Sequence, residues 1–123
     1  MTVIGSLPNL EVLKLRDNAF TGREWECSSS EEGFPRLKFL LLEGLHLRRW
    51  RVVESSSFFP CLERLTIGRC WTLEEIPCEI GDIPTLELIE VGPVRQIVAD
   101  SALRIQEEQR SLGNDLLQVR IRF

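Results

Sequence analysis

One phrase recurs along this chain at near-constant spacing, and it constrains the fold more than any other feature. Its first copy covers residues 7–18 and reads LxxLxxLxLxxN. Because alternate residues of a β-strand point to the same side, the phrase predicts a short strand with Leu13 and Leu15 on its buried face. Asn18 is suited to turn the chain out of this strand and to bond the backbone groups that the turn leaves unpaired.

Three further copies begin at Phe34, Phe59 and Ile83, so that successive copies start 27, 25 and 24 residues apart. Every copy has proline in second place, at Pro8, Pro35, Pro60 and Pro84. Proline in this position sets φ on the approach to the strand without removing a central ladder donor. Repetition at this period is typical of leucine-rich repeats. It predicts an α/β leucine-rich-repeat solenoid of about four repeats, with a short parallel sheet on its concave face.

Residues 1–94 are predicted to form these repeats, because the phrase stops after its fourth copy. Side chains spaced 4, 3, 4 and 3 residues apart then form one face of an amphipathic helix, predicted over about 98–112. Alternating residues predict a strand over about 116–122. We interpret residues 95–123 as a helix–strand cap that closes the C-terminal end of the solenoid.

No such cap precedes the first repeat, since only six residues come before Leu7. A repeat array needs a polar cap over its first apolar edge. We therefore expect the chain to be the tail of a longer protein and, in isolation, to self-associate through its uncapped N-terminal repeat.

The composition is that of one globular domain, with 43% hydrophobic and 28% charged residues in a chain of 123. A net charge of −4 argues against a general nucleic-acid surface, so no nucleic-acid partner is expected. No apolar run approaches the roughly 20 residues that span a bilayer. The N-terminus lacks a secretory segment and no asparagine stands in a glycosylation sequon, which predicts a cytoplasmic protein.

The four cysteines, Cys27, Cys61, Cys70 and Cys78, form no CxxC pair, and His46, the single histidine, has no partner at zinc-ligand spacing. We therefore predict no metal site and free cysteines in a reduced protein. A Cys70–Cys78 disulfide is the alternative.

No motif typical of catalysis is present. The chain lacks a phosphate loop, a GxSxG elbow and an HExxH pair. Glu74 and Glu75 are adjacent, and neighbouring carboxylates in a turn diverge, whereas a glycosidase pair converges across a cleft. The sequence predicts a protein that is not an enzyme.

Arginines surround Trp50 in the second connection, at Arg48, Arg49 and Arg51. We interpret Trp50 as an inward core residue whose arginines are solvated and partly balanced by Glu43 and Glu54. The alternative is a nucleic-acid site that stacks bases on Trp50 and contacts phosphates through the arginines.

Residues that alternate with the buried ones point to the opposite face of the predicted sheet. This face mixes both charge signs with an apolar pair, Phe39 and Leu41, which is the usual composition of a protein-binding surface. The alternative is that these residues only cover the sheet or pack against neighbouring domains. The predicted protein-binding residues are Val12, Lys14, Arg16, Phe39, Leu41, Glu43, Arg64, Thr66, Leu88, Glu90, Gln118, Arg120 and Arg122.

The tryptophan spacing and the tail carry a more specific resemblance, through the motifs Gly22-x-x-Trp25, Leu47-x-x-Trp50, Leu73-x-x-Ile76-Pro77 and Gly113-Asn114. Together with the recurring phrase, they make nearly the whole chain similar to the C-terminal leucine-rich repeats of plant intracellular disease-resistance proteins. The family in question is the coiled-coil, nucleotide-binding kind to which late-blight-resistance proteins belong.

The resemblance implies a protein-recognition module of a plant immune receptor, acting in the cytoplasm or at the periphery of a membrane. Its partner is then a pathogen effector, a host guard protein or the receptor's own nucleotide-binding domain. In this family the nucleotide site lies in a domain before the repeats, and none of its motifs is present here, so no cofactor is expected. Two alternatives stay open: a substrate-recruiting subunit of an F-box-type ubiquitin ligase, and a truncated receptor fragment without function.

Overall fold

The structure, a computed structural model, describes residues 10–16, 24–27, 34–52 and 58–122. Seven strands, one α-helix and one 3₁₀ turn follow each other along these ranges. In chain order they are β1 (Val12–Arg16), β2 (Glu24–Cys27), β3 (Phe39–Glu43), β4 (Arg49–Val52), β5 (Arg64–Gly68), the 3₁₀ turn (Cys78–Asp82), β6 (Leu88–Val91), α1 (Gln96–Ser111) and β7 (Gln118–Ile121).

Five strands form one parallel sheet, the main sheet, in the order β1-β3-β5-β6-β7. The first four each lie within one copy of the recurring phrase, and β7 comes from the tail. Leu13, Leu40, Leu65 and Ile89 stand side by side in the register, and all four are buried. Period-2 alternation therefore places one face of the main sheet on the core.

A smaller parallel sheet is formed by β2 and β4, with Trp25 aligned with Trp50. Both strands lie in connections between strands of the main sheet. The inward tryptophans, together with Phe34 and Phe59, belong to the same continuous apolar core as the main-sheet leucines. The rings of Phe34 and Phe59 are stacked, with centroids 5.9 Å apart.

The predicted leucine-rich-repeat solenoid is wrong as a description of this architecture. The described residues form an α/β arrangement of a five-stranded parallel sheet, a second sheet of two strands and one helix of 16 residues. The phrase reports only the alternation inside one strand of each copy. It contains no information on the connections, where β2 and β4 pair with each other, or on β7, which continues the main sheet beside β6.

Helix α1 covers the end of the core next to β6 and β7. Its buried residues include Val98, Ala102 and Ile105. The helix ends at a left-handed Gly113 with φ of 91°, whose N–H bonds the carbonyl of Arg110 at 3.0 Å. The helix and β7 occupy Gln96–Ser111 and Gln118–Ile121, where the sequence predicted about 98–112 and 116–122. The division into residues 1–94 and a cap at 95–123 stays a prediction.

The structure describes the side chains of three cysteines, and their surroundings differ. Cys70 is buried, Cys61 is half-buried and Cys78 is exposed, and all three are free, so the alternative of a Cys70–Cys78 disulfide is wrong. Desolvation by burial is the main cause that raises the pKa of the Cys70 thiol. Its Sγ lies 3.4 Å from the carbonyl oxygen of Gly68.

Several sequence predictions concern parts of the chain outside the described residues. These are the start of the first copy at Leu7, the turn at Asn18, the uncapped N-terminal edge, the Gly22 position of the resemblance, and Glu54.

Candidate functional site

The candidate site is the side of the main sheet that faces away from the core, called the outer face below. In β1, Leu13 and Leu15 are buried, whereas Val12, Lys14 and Arg16 are exposed. The same alternation recurs in the other strands of the main sheet, except that β3 carries three consecutive buried residues. The structure places all of the sequence-predicted site residues along this one face.

The register aligns the outer face in rows across the strands. The first row is Val12, Phe39, Arg64, Leu88 and Gln118. The second row is Lys14, Leu41, Thr66, Glu90 and Arg120. A third row begins with Arg16, Glu43 and Gly68. Gly92 lies next to Gly68 in this row, since a Cβ added to Gly92 would lie 3.5 Å from the Cα of Gly68.

The apolar part of the outer face is less exposed than the sequence predicted. Leu41 is only 8% exposed, while Phe39 and Leu88 are half-buried and Val12 is 48% exposed. Leu41 sits in β3 with β1 on one side and β5 on the other, so that side chains of both neighbouring strands stand beside it. Phe39, rather than Leu41, is therefore the accessible apolar residue of β3 on the outer face.

Ion pairs on the outer face run between neighbouring strands. The guanidinium of Arg16 lies 3.8 Å from the carboxylate of Glu43, and that of Arg122 lies 3.3 Å from the carboxylate of Glu90. The two arginine side chains are more than half exposed, whereas those of Glu43 and Glu90 are 35% and 22% exposed. Solvent reaches both pairs, and solvent-screened pairs of this kind contribute at most about 1 kcal/mol to stability. Their main effect is to set the pattern of charge on the face.

A groove of about 600 Å³ lies on the outer face where β5, β6 and β7 begin. Four of the sequence-predicted residues line it, namely Arg64, Leu88, Gln118 and Arg120. The groove is completed by residues that precede the strands: Glu63, Pro84, Thr85, Leu86, Glu87, Asn114 and Leu116.

The sequence analysis did not identify the groove or the residues that complete it. The Thr85 hydroxyl donates to the carbonyl of Leu62 at 2.8 Å, which holds Thr85 against the segment that leads into β5. Leu116 is 82% exposed, and its N–H bonds the Asn114 side-chain oxygen at 3.1 Å. Gly113-Asn114 signals a turn, but the position of that turn beside β6 follows from the docking of α1 and β7, which no local pattern reports.

The arginines around Trp50 lie on the smaller sheet and its flanks. Trp50 is 3% exposed and stacks on Trp25, so it is a core residue, as predicted, and the alternative of base stacking on its ring is wrong. Of the predicted balancing partners, Glu43 pairs with Arg16 instead, and Glu54 lies outside the described residues. Glu74 lies 3.6 Å from Arg48 and 3.2 Å from Arg49, because the connection that follows β5 passes beside β4.

A second cavity of about 480 Å³ lies between β4, the segment before the 3₁₀ turn and α1. Its wall includes Cys78, whose thiol pKa is raised by desolvation and by the neighbouring Glu79 carboxylate. Among the residues that the structure describes, no three His, Cys, Asp or Glu side chains are grouped so as to hold a metal ion. Within the same ranges, no helix has the length and apolar character needed to cross a membrane.

No protein-family model matches the chain. It is 46% identical over 104 residues to the late blight resistance protein homolog R1B-16 of Solanum demissum. It is 43% identical over 107 residues to the homolog R1B-13, and 43% identical over 104 residues to the late blight resistance protein R1-A, both of the same plant.

These matches cover 84–86% of this chain but only 8–9% of each relative. The chain thus spans less than a tenth of the length of the curated relatives it matches. Over most of its own length it is homologous to a short segment of the late blight resistance proteins, which confirms the family resemblance predicted from the sequence.

Proposed function

We propose that this chain is a protein-recognition segment of a plant disease-resistance protein, and that the outer face is its contact surface. The names of the relatives support the defence role and favour it over a ubiquitin-ligase subunit. One observation carries the recognition role: five parallel strands present, in aligned rows, accessible apolar side chains among charged ones. Surfaces of this mixed composition are typical of protein interfaces.

The outer face has the rigidity that a recognition surface needs. Strands spaced about 4.8 Å apart make a face about 19 Å across from β1 to β7. The opposite side of each strand is packed into the core, where Leu40, Leu65 and Ile89 are fully buried. A partner therefore meets side chains whose backbone is already ordered, which lowers the entropic cost of binding.

Arginines and an aromatic side chain give the face the residue types that dominate binding energy. Phe39 lies beside Arg64 in the first row, and Arg120 lies on β7, two strands from Arg64. Aromatic residues and arginine are enriched among the few residues that carry most of an interface's affinity. The partner we propose is a protein in the plant cytoplasm: a pathogen effector, a host guard protein or the nucleotide-binding domain of the same receptor.

The test is co-precipitation of the tagged chain with a separately expressed nucleotide-binding half of a matching resistance protein. Phe39→Glu places a charge at the accessible apolar residue of β3 on the outer face and is expected to abolish capture. Ile97→Glu is the matched control, because Ile97 is also an apolar residue, 50% exposed, but lies on α1. Leu41 is not used, since a charge at a buried position would unfold the chain.

Thermal unfolding followed by circular dichroism shows whether each variant is folded. Loss of capture by Phe39→Glu but not by Ile97→Glu would support the outer face as the contact surface. Equal capture of the wild type and both variants would overturn it. If the wild type captures nothing, the same variants are compared on a panel of effectors, and absence of any surface-dependent capture there overturns the proposal.

A further inference from the structure

The charge of the outer face is opposite to that of the chain. Its rows contain four cations and two carboxylates, and Arg122, which follows β7, adds a fifth cation. These residues together carry a formal charge of +3, whereas the whole chain carries −4. The cations are Lys14, Arg16, Arg64, Arg120 and Arg122, and the carboxylates are Glu43 and Glu90. A cationic face on an acidic chain creates a local potential that attracts acidic partners.

Both carboxylates are already engaged. Glu43 is paired with Arg16 and Glu90 with Arg122, through the contacts of 3.8 and 3.3 Å. Lys14, Arg64 and Arg120 form no ion pair with any residue in the described ranges. Three cations on one face are thus available to a partner, and two of them line the groove.

The groove places an apolar floor between these two arginines. Leu88 is half-buried in β6 and stands beside Arg64 of β5 in the register. Arg120 of β7 stands beside Glu90 in the register, two residues further along β6, without forming an ion pair with it. Leu116, 82% exposed, adds an apolar edge. The groove therefore offers one apolar surface flanked by two unpaired guanidinium groups.

Two carboxylates at the border of the groove restrict what fits. Glu63 and Glu87 precede β5 and β6 and also line the groove. They would repel the continuous negative charge of a nucleic-acid backbone. A segment that alternates acidic and apolar side chains meets less of this repulsion, because it can direct its carboxylates to the arginines.

On the basis of the proposed function, we infer that the groove binds an acidic segment of a partner protein, in which an apolar side chain packs on Leu88 between carboxylates that bond Arg64 and Arg120. Charge-assisted bonds from arginine to carboxylates supply orientation as well as attraction. The apolar contact distinguishes this site from a surface that only attracts anions.

The probe is a fluorescein-labelled peptide of alternating glutamate and leucine, with a glutamine-for-glutamate peptide as its counterpart. Binding to the whole chain is followed by fluorescence anisotropy. The acidic peptide is expected to bind about tenfold more tightly than the glutamine peptide, and the difference should shrink at high salt.

Arg64→Glu and Arg120→Glu are each expected to weaken binding of the acidic peptide about three- to tenfold. Arg104→Glu is the matched control, because it makes the same charge change on an exposed residue of α1 outside the groove. It is expected to leave the affinity within about twofold.

If Arg64→Glu, Arg120→Glu and Arg104→Glu all weaken binding of the acidic peptide equally, the inference is overturned, because the peptide is then attracted by net charge alone. Equal affinity for the two peptides, or tighter binding of a single-stranded oligonucleotide than of the acidic peptide, would also overturn it. These outcomes do not by themselves contradict the proposed function. If Phe39→Glu still abolishes capture in the co-precipitation, the outer face is a contact surface and only the acidic specificity of the groove fails.

Discussion

The indole rings of Trp25 and Trp50 lie face to face, with centroids 5.5 Å apart and planes inclined by 9°. The two residues are also register partners in the smaller sheet. The same pair therefore joins β2 to β4 through both backbone and side chains. Trp25 in addition meets the ring of Phe59 edge-on at 6.5 Å, which ties the smaller sheet to the aromatic part of the core.

We expect Trp50→Ala to lower the free energy of unfolding by about 3–5 kcal/mol, because it removes this stack and leaves a cavity. Trp50→Phe should cost clearly less. It keeps an aromatic ring and removes an indole N–H that is buried without a hydrogen-bond partner in the described part of the chain.

Urea unfolding followed by circular dichroism measures both effects. Trp71→Ala is the control, since Trp71 is 55% exposed and its loss should change stability by only about 0.5 kcal/mol. A similar loss for Trp50→Ala and Trp71→Ala would contradict the importance of the stack.

Gly81→Ala should destabilise the chain by about 1–3 kcal/mol through overpacking. A Cβ at this position would lie 2.9 Å from Cγ2 of Ile105 and 3.2 Å from Nε2 of Gln109, so α1 would have to move away from the 3₁₀ turn. Gly92→Ala is the matched change on the outer face, where the nearest atoms lie at an ordinary 3.5 Å. Chemical denaturation should separate the two variants, and equal midpoints would argue against close packing of α1 on the turn.

Ser101→Ala is expected to cost about 1–3 kcal/mol, because it leaves a buried donor unpaired. The Ser101 hydroxyl accepts the N–H of Ile76 at 3.0 Å and donates to the carbonyl of Val98 at 2.6 Å. Hydrogen exchange should show faster exchange at the Ile76 amide in this variant. Ser111→Ala removes a comparable bond at an exposed position, to Glu108, and should leave both stability and the Ile76 amide nearly unchanged.

The raised pKa of Cys70 predicts a loss of stability at alkaline pH. Burial keeps the folded thiol protonated above its ordinary pKa of 9.0, whereas the unfolded thiol ionises there. Between these two pKa values the folded state binds more protons, so the free energy of unfolding falls as the pH rises. The free energy of unfolding of Cys70→Ala should therefore fall less than that of the wild type between about pH 8 and 10. Urea titration of both proteins at each pH measures this difference. Parallel pH profiles would contradict a buried, protonated thiol.

Local patterns alone accounted for several elements. The spacing of apolar residues within each copy of the phrase is a property of four or five adjacent residues, and β1, β3, β5 and β6 each lie within one copy. In β3 the apolar residues are consecutive, so there the position of the strand followed from the repeat and not from alternation. The helical spacing around Val98 and Ile105 similarly indicated α1. The predicted inward position of Trp50 agrees with the alternation in β4, where Trp50 and Val52 are buried and Arg49 and Arg51 are exposed.

The architecture and the shape of the candidate site required the tertiary structure. Pairing of β2 with β4 depends on the proximity of segments that are 25 residues apart, and the phrase carries no signal for it. Leu41 is buried because a strand lies on each side of β3. Glu43 and Glu90 form ion pairs with the arginines that strand pairing brings close to them, Arg16 and Arg122.

The outer face was therefore determined residue by residue in the sequence, through side-chain alternation. Only the packing of distant segments decided three of its features: the groove, the absence of ion pairs at Arg64 and Arg120 within the described residues, and the low exposure of Leu41. The physical reason is range: alternation acts between neighbours along the chain, whereas burial and ion pairing depend on neighbours in space.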